Sequence, residues 1–474
     1  MIDRAQLLLK GLLLSLLPLT ASAQQAAGTH DAIVDRLLDA GLQDCQAYEF
    51  LRDLTTVAPH RLSGSAGAKE AIRFVHARLS EAGFEPVVVE SLLVPHWERG
   101  AVEEAVLRVP GREETIPLSV CALGGSVATP LDGLEAEVVE VRSFDELRAL
   151  GEKARGKIVL FNRPMDPTLA NTFEAYGGAV DQRSRGAIEA SRSGAVAALV
   201  RSVTLAHDDV PHTGSMRYDE QVPKIPAAAI STVGADLLSS ELQRDGKIRL
   251  RLSCRTLPDA WSGNVYGQIT GTEFPEEIIV VGAHLDAWDK GAGAHDDAAG
   301  CAQAFEVLNI LRKAGLRPKR TIRAVFYMNE ENGNRGGPAY ASAPRRKGER
   351  HVAALESDRG GFAPRGFYVE ADSTTLAIVQ EWRPLFDLLG AGFLQPGGSG
   401  VDIDPLVRQG VPGFGLNVDD HRYFDLHHSA NDTIDKVHPR ELEMGAVVQA
   451  LMAYLLSERG LDHLAKAPPG RYSE

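Results

Sequence analysis

Residues 280–300, VVGAHLDAWDKGAGAHDDAAG, constrain the fold more than any other part of this chain. An apolar run over residues 278–281 leads into them and predicts a buried strand. Four residues of metal-binding type follow that strand: His284, Asp286, Asp296 and Asp297. A helical pattern then begins at Ala298. Because open α/β sheets carry their chemistry at the carboxyl ends of such strands, this stretch predicts half of a two-metal hydrolase site.

Length and charge narrow the class of protein. The chain has 474 residues, of which 44% are hydrophobic, enough for two or more domains or for one domain with a large insertion. Its 50 lysines and arginines against 64 acidic residues give a formal net charge of −14. An acidic surface disfavours nucleic acid and anionic membranes. We therefore expect neither of these as a partner.

The N-terminus has the form of a secretory signal peptide. Arg4 and Lys10 come before an apolar run over residues 11–19, and the small-residue sequence TASA ends at Ala23. The run is too short to span a bilayer, which takes about 18 or more apolar residues. We predict that residues 1–23 are cleaved off, which leaves a secreted or periplasmic protein that does not contact the membrane.

Cysteine usage gives no metal or redox motif. The four cysteines, Cys45, Cys121, Cys254 and Cys301, lie far apart in the sequence. No two of them have the Cys-x-x-Cys spacing of a zinc knuckle or a redox pair. An oxidising compartment permits disulfides, and the sequence leaves their pairing open.

The chain divides into parts of different texture. Residues 24–104 and 257–464 alternate helical patterns with apolar strands, which predicts a mixed, mostly parallel sheet flanked by helices. Residues 105–256 contain short β-type runs separated by Gly and Pro, without a cluster of metal-type residues. We predict a catalytic α/β domain interrupted by an inserted β-rich domain. Residues 465–474 are expected to form a flexible tail.

The inserted segment has a recognisable order of strands. Residues 156–161 (GKIVLF), an apolar run ending near Arg201 and residues 224–231 (KIPAAAIS) resemble a protease-associated domain. His207 and His212 lie between them in TLAHDDVPHTG, where a metal loop is one interpretation. We favour the other, a polar loop that reaches over the active site.

Three more clusters of metal-type residues lie in the second half of the chain. Two follow predicted strands, NEE at residues 329–331 and SD at residues 357–358. The third, HHSANDT at residues 427–433, precedes the last predicted helix. A two-metal site needs a bridging carboxylate with His and carboxylate ligands on either side, and a further Glu can take the proton from the attacking water. The clusters together supply these groups.

The motifs AHLDAWDKGAGAHDDAAG, MNEENGNRGG, LESDRGG and RYFDLHHSANDT resemble those of family M28 metallopeptidases. The resemblance covers nearly the whole mature chain and implies a zinc-dependent exopeptidase fold with two Zn²⁺ per chain. It implies His284 and Asp358 as ligands of one zinc, Glu331 and His428 as ligands of the other, and Asp296 as the bridge. It also implies a cis peptide bond between Asp296 and the next residue.

The same resemblance assigns the remaining roles. It implies Glu330 as the general base and Asp286 as the outer partner that orients the ligand His284. His428 is chosen over its neighbour His427 because its spacing to the Asp-Thr pair at residues 432–433 matches the family pattern.

Tyr423, five residues before His428, has two open interpretations. It either donates to a developing oxyanion or serves only packing.

The expected activity is that of a di-zinc exopeptidase that hydrolyses dipeptides or short peptides, with metal-activated water and Glu330 as the base. An aminopeptidase on longer peptides is the near alternative. A single-zinc glutaminyl cyclase and a receptor-like protein without chemistry are more distant ones. The resemblance further implies a homodimer.

Overall fold

The computed structural model describes residues 31–43, 46–244, 246–343 and 348–461. The predicted signal peptide, Cys45 and the predicted tail lie outside these residues. Within the described ranges, no helix combines the length and the apolar character needed to cross a membrane.

The helices, in chain order, are α1 (Ala32–Leu42), α2 (Gln46–Val57), α3 (Ala66–Glu81), α4 (Phe144–Leu150), α5 (Thr172–Gly177), α6 (Asp181–Arg192), α7 (Thr232–Glu241), α8 (Ala299–Lys313), α9 (Gly336–Ser342), α10 (Ser373–Glu381), α11 (Arg383–Asp387), α12 (Asp404–Val407), α13 (Tyr423–Leu426) and α14 (Pro439–Arg459).

The strands are β1 (Val88–Glu98), β2 (Glu103–Arg108), β3 (Ile116–Leu118), β4 (Val120–Ala122), β5 (Leu134–Val141), β6 (Ile158–Phe161), β7 (Ala197–Arg201), β8 (Ala227–Ile230), β9 (Lys247–Leu252), β10 (Arg255–Ile269), β11 (Phe274–His284), β12 (Arg320–Tyr327), β13 (Arg350–Glu356), β14 (Pro364–Glu370), β15 (Phe393–Pro396) and β16 (Gly413–Val418).

Eight strands form the first sheet, in the order β1-β10-β12-β11-β13-β16-β14-β15. The central run β12-β11-β13-β16 is parallel, and antiparallel strands lie on either side of it. Side chains alternate between the two faces of β11, so Ile279 and Val281 enter one apolar core and Ile278 and Val280 enter another. The predicted mixed sheet with flanking helices is confirmed.

Helix α8 lies at the centre of the larger core. It packs against β11 and β12 and is covered by α2 and α14. Its residues from Ala299 to Leu311 are all buried, and they are apolar or small except for Gln303, Glu306 and Asn309. The helix starts at Ala299, two residues after Asp297, so this core fixes the place of Asp296 and Asp297.

A second sheet is formed by residues between the long paired strands β1 and β10. Its order is β3-β2-β9-β5-β6-β7-β8-β4, with parallel pairing through β5-β6-β7-β8. Helices α4 to α7 lie between its strands in the sequence, and the sequence patterns did not predict them. Apart from Arg201, the residues of β6, β7 and β8 are apolar, and all three strands are buried nearly throughout.

Candidate metal centre

Neighbouring strands bring the candidate residues to one edge of the first sheet. β11 ends at His284, β12 ends three residues before Glu330, and β13 ends two residues before Asp358. Since these strands are parallel neighbours, their carboxyl ends open onto the same place. Asp296 lies in the turn before α8, and His428 lies in the loop after α13.

The first donor group consists of His284, Asp296 and Asp358. Nε2 of His284 lies 3.1 Å from Oδ1 of Asp296 and 3.4 Å from Oδ1 of Asp358. One donor atom from each residue lies within 4.8 Å of the other two, close enough to share one ion. The peptide bond between Asp296 and Asp297 is cis, as the family resemblance implies.

The second donor group is built on the other oxygen of Asp296. Nε2 of His428 lies 3.2 Å from Oδ2 of Asp296 and 2.9 Å from Oε2 of Glu331. The neighbouring His427 also approaches Asp296, at 3.7 Å, and its ring stacks on that of His428 with centroids 3.5 Å apart. Asp296, His427 and His428 form a set of donors within 4.8 Å of one another. Asp296 therefore belongs to both groups.

We expect His428→Ala to lower the affinity for one of two bound metal ions by at least about 100-fold, because even groups outside the ligand shell contribute about 10- to 100-fold. His428 is the nearer of the two rings to Asp296 and also contacts Glu331. His427→Ala is the matched control and should have a smaller effect. Metal titration of the two variants decides the choice, and a larger loss in His427→Ala would reverse it.

The buried charges of the centre depend on one another. Burial alone would raise the pKa of Asp296, but the rings of His284 and His428 outweigh burial and hold that pKa well below its ordinary value. Burial alone would lower the pKa of His284, and the carboxylates of Asp358 and Asp296 raise it well above the ordinary value instead. Burial and the charge of Asp296 raise the pKa of Glu331 to about 7. Several buried carboxylates this close together favour the binding of a cation.

The donor atoms fit a divalent cation at each group. Oδ2 of Asp296 and Oδ1 of Asp358 are buried and accept no hydrogen bond from the described residues. Buried acceptors normally have a partner, so these two oxygens are available for one. Carboxylate oxygen and imidazole nitrogen are also the donors that zinc takes in open catalytic sites.

Asp286 contacts the imidazole of His284 through its main-chain carbonyl and not through its carboxylate. Nδ1 of His284 donates to the main-chain carbonyl of Asp286 at 2.9 Å, whereas the Asp286 carboxylate is 4.0 Å away. The carboxylate accepts the main-chain N–H groups of Asn329 at 2.7 Å and Glu330 at 3.1 Å. Asp286 thus orients His284 through its backbone and fixes the segment that carries Glu330 through its side chain.

Glu330 and Tyr423 border the centre. Glu330 is partly buried, and burial together with the charges of Asp358 and Glu331 raises its pKa well above the ordinary value. The buried Tyr423 ring stacks on Phe173 at 5.6 Å and lies 5.2 Å from His427, so it does pack. Burial and nearby carboxylates raise the pKa of Tyr423 well above its usual range, and its hydroxyl keeps its proton.

Arg61 is a site residue that the sequence patterns did not indicate. Its side chain is fully buried, and its guanidinium donates to the carbonyl oxygens of Leu285 at 2.7 Å, Ala292 at 2.5 Å and Gly293 at 2.7 Å. These carbonyls belong to the loop between His284 and Asp296. Arg61, in the segment between α2 and α3, therefore holds the loop in place.

Two more carboxylates fix the backbone around Asp296. Asp432 accepts the main-chain N–H of His295 at 2.7 Å and of Asp296 at 3.1 Å. Asp297 accepts the N–H of His284 at 3.1 Å and of Gly300 at 3.0 Å. Every one of these bonds satisfies a buried donor, so Asp296 is held on both sides.

Comparisons with known proteins agree on the family. Residues 264–453 match peptidase family M28. The chain is 37% identical to carboxypeptidase Q of Mus musculus over 415 residues, which cover 87% of this chain and 86% of the relative. The human carboxypeptidase Q is also 37% identical, with 87% and 85% covered.

Solved structures give the same result. A peptidase M28 precursor from Shewanella amazonensis SB2B is similar with a TM-score of 0.85 and 35% identity, over 90% of this chain and 96% of that one. BSAP, a zinc aminopeptidase from Bacillus subtilis, shares the fold at a TM-score of 0.62 and 20% identity, over 86% of this chain and 94% of its own. The chain belongs to peptidase family M28 and is a carboxypeptidase Q-like metallopeptidase.

Proposed function

We propose that the chain is a di-zinc exopeptidase, with two zinc ions that share Asp296. His284 and Asp358 would hold one ion, and Glu331 and His428 the other. The observation that carries this proposal is the position of Asp296, whose two oxygens face the two donor groups, at 3.1 Å from His284 and 3.2 Å from His428. Zinc in such a site supplies Lewis acidity, which activates water and polarises the scissile carbonyl.

Glu330 is the general base in this proposal. Burial and the charges of Asp358 and Glu331 raise its pKa above the ordinary value, which makes this carboxylate a stronger base. It would take the proton of the attacking water and pass it to the leaving amine. The Asp286 carboxylate, bonded to the Glu330 N–H, keeps the base in place during both transfers.

Tyr423 is the second catalytic residue in this proposal. Its protonated hydroxyl would donate to the carbonyl oxygen as negative charge develops on that atom. Its buried ring packs against Phe173 and His427, which favours a preformed donor.

Dipeptides or short peptides are the proposed substrates. The relatives named carboxypeptidase Q support an exopeptidase that acts near a free terminus. Aromatic rings from residues between the two long strands also lie beside the centre, with Phe173 on Tyr423 at 5.6 Å and Tyr176 against His427 at 5.4 Å. Side chains that crowd the centre in this way leave less room for a long peptide.

Export and domain organisation complete the proposal. The signal-type sequence over residues 1–23 supports a secreted or periplasmic protein. The second sheet, which runs from β2 to β9, supports an inserted domain of the protease-associated kind between two parts of the catalytic domain. A homodimer remains part of the proposal on the family resemblance alone.

A panel of peptides tests the substrate proposal. Purified protein should cleave dipeptides with two free termini faster than longer peptides, and faster than dipeptides blocked at either end. Faster cleavage of long peptides with a free amino terminus would instead make the protein an aminopeptidase. Cyclisation of N-terminal glutamine, or no turnover with any peptide, would exclude the exopeptidase altogether.

A further inference from the structure

The loop over residues 212–215 lies against the backbone of the second donor group. Nδ1 of His212 donates to the carbonyl of His427 at 2.7 Å, and the N–H of Thr213 donates to the carbonyl of His428 at 2.9 Å. The hydroxyl of Ser215 donates to the carbonyl of Glu331 at 2.7 Å. This loop thus binds the main chain of both residues proposed to hold the second ion.

The backbone at Glu331 and His428 is in a conformation that needs additional contacts to hold it. His428 has a φ of +60°, in the left-handed region that residues with a side chain rarely occupy. Glu331 lies in a turn beyond the end of β12, and His428 lies in a loop, so neither is fixed by a strand ladder. Bonds to their carbonyl oxygens are therefore a direct way to fix where the two side chains point.

The supporting loop is itself anchored to the second sheet. The N–H of His212 donates to the hydroxyl of Ser202 at 2.9 Å, next to the end of β7. The hydroxyl of Thr213 donates to the carbonyl of Ala122 in β4 at 2.8 Å. The N–H of Gly124 donates to the carbonyl of Gly214 at 2.9 Å. Because residues 212–215 are bonded to the second sheet as well as to the second donor group, the loop can act as a rigid support.

The first donor group is held in another way. His284 ends strand β11 and pairs with β12, and its Nδ1 donates to the carbonyl of Asp286. None of the three bonds from residues 212–215 described above reaches His284 or Asp358. These three bonds therefore act on the second group and leave His284 and Asp358, the residues particular to the first group, untouched.

We infer that His212 and Ser215 are positioning residues for the second metal, the one held by Glu331 and His428. The inference rests on the proposed di-zinc function. It means that the segment between the two long strands completes the metal centre from outside the first sheet. It also explains the PHTG sequence as a loop that acts on the centre through the backbone and not as a separate metal site.

Ser215→Ala is the sharpest test. Zinc is titrated into the metal-free full chain against a competing chelator, and the titration resolves two binding steps. The step that is lost or weakened in His428→Ala is the one that belongs to the second group. Ser215→Ala should weaken that step by about 10- to 100-fold, the usual effect of losing a group that supports a ligand. The other step should stay unchanged.

Ser191→Ala is the matched control. Ser191 is buried, and its hydroxyl donates to the carbonyl of Pro223 at 2.6 Å, the same kind of bond at another place. Both zinc steps should stay as in the wild type. An unchanged second step in Ser215→Ala, or equal weakening of both steps, would overturn the inference.

His212 permits a conservative rescue. Its Nε2 is buried and has no hydrogen-bond partner in the described part of the chain, so only Nδ1 supports the centre. His212→Asn keeps a donor near Nδ1 and should bind the second zinc within a few-fold of wild type, whereas His212→Leu should weaken that step alone. Equal behaviour of the two variants would contradict the inference. A wild-type chain that binds fewer than two zinc ions would contradict the proposed function instead.

Discussion

Glu330→Gln is expected to lower kcat by about 10²- to 10⁴-fold while zinc binding stays intact, which is the usual effect of losing a general base. Glutamine has nearly the same shape but cannot accept a proton. The main-chain N–H of Glu330, which donates to Asp286, is unchanged by the substitution. The measurement is steady-state hydrolysis of a dipeptide together with metal content on the same preparation.

The pattern of the kinetic constants distinguishes this role from a structural one. If Glu330 acts in proton transfer, kcat falls and KM changes little, since the substrate still meets the same metals and the same pocket. The melting temperature should also stay close to that of the wild type. Turnover near the wild-type rate in Glu330→Gln would remove Glu330 from the role of base.

Asp296→Ala is expected to have the broadest effect. Both oxygens of Asp296 face donor residues, with His284 at 3.1 Å on one side and His428 at 3.2 Å on the other. Removing the carboxylate should therefore weaken both metals, and activity should fall by at least about 10³-fold, because metal ions supply several kcal/mol of transition-state stabilisation and each 1.36 kcal/mol is tenfold. Zinc titration and dipeptide hydrolysis check the two parts of this result.

Asp296→Asn separates the bridge from the fold. The amide keeps one oxygen and nearly the same volume, so it can serve one metal but not two. We expect one tightly bound zinc per chain in this variant and circular dichroism like that of the wild type. Two tightly bound zinc ions in Asp296→Asn would show that Asp296 does not bridge.

The sequence predicted the parts of the centre that follow from strand ends. A run of apolar residues that stops at His284 is readable without a structure, and so are the clusters at residues 329–331 and 357–358. Because parallel strands have their carboxyl ends at the same edge of a sheet, these clusters are expected to lie close together. The structure confirms the mixed sheet with flanking helices. It also contains the cis peptide bond after Asp296 that the family resemblance implied.

The supporting contacts could not be predicted in this way. Arg61 holds a loop more than 200 positions away, and Ser215 holds Glu331 more than 100 positions away. Both contacts end on main-chain carbonyls, which every residue has, so no sequence pattern marks the acceptor. Arg61 lies outside every cluster of metal-type residues, so only the tertiary structure shows what it contacts.

Asp286 shows the same limit at short range. The spacing of two residues from His284 suggests a carboxylate-to-imidazole contact, the common outer arrangement around metal-binding histidines. Instead the imidazole takes the nearer main-chain carbonyl, and the carboxylate turns to the N–H groups of Asn329 and Glu330. Sequence spacing gives the neighbour correctly, but the choice between backbone and side chain depends on which donors the adjacent strand end presents.

Zinc stoichiometry tests the account most directly. Purified full-length protein is saturated with zinc, dialysed against metal-free buffer and assayed for metal per chain by inductively coupled plasma mass spectrometry, beside His428→Ala. Two zinc ions per chain in the wild type and one in His428→Ala are the predicted result. One ion in the wild type, or none, would contradict a centre in which Asp296 joins two metals.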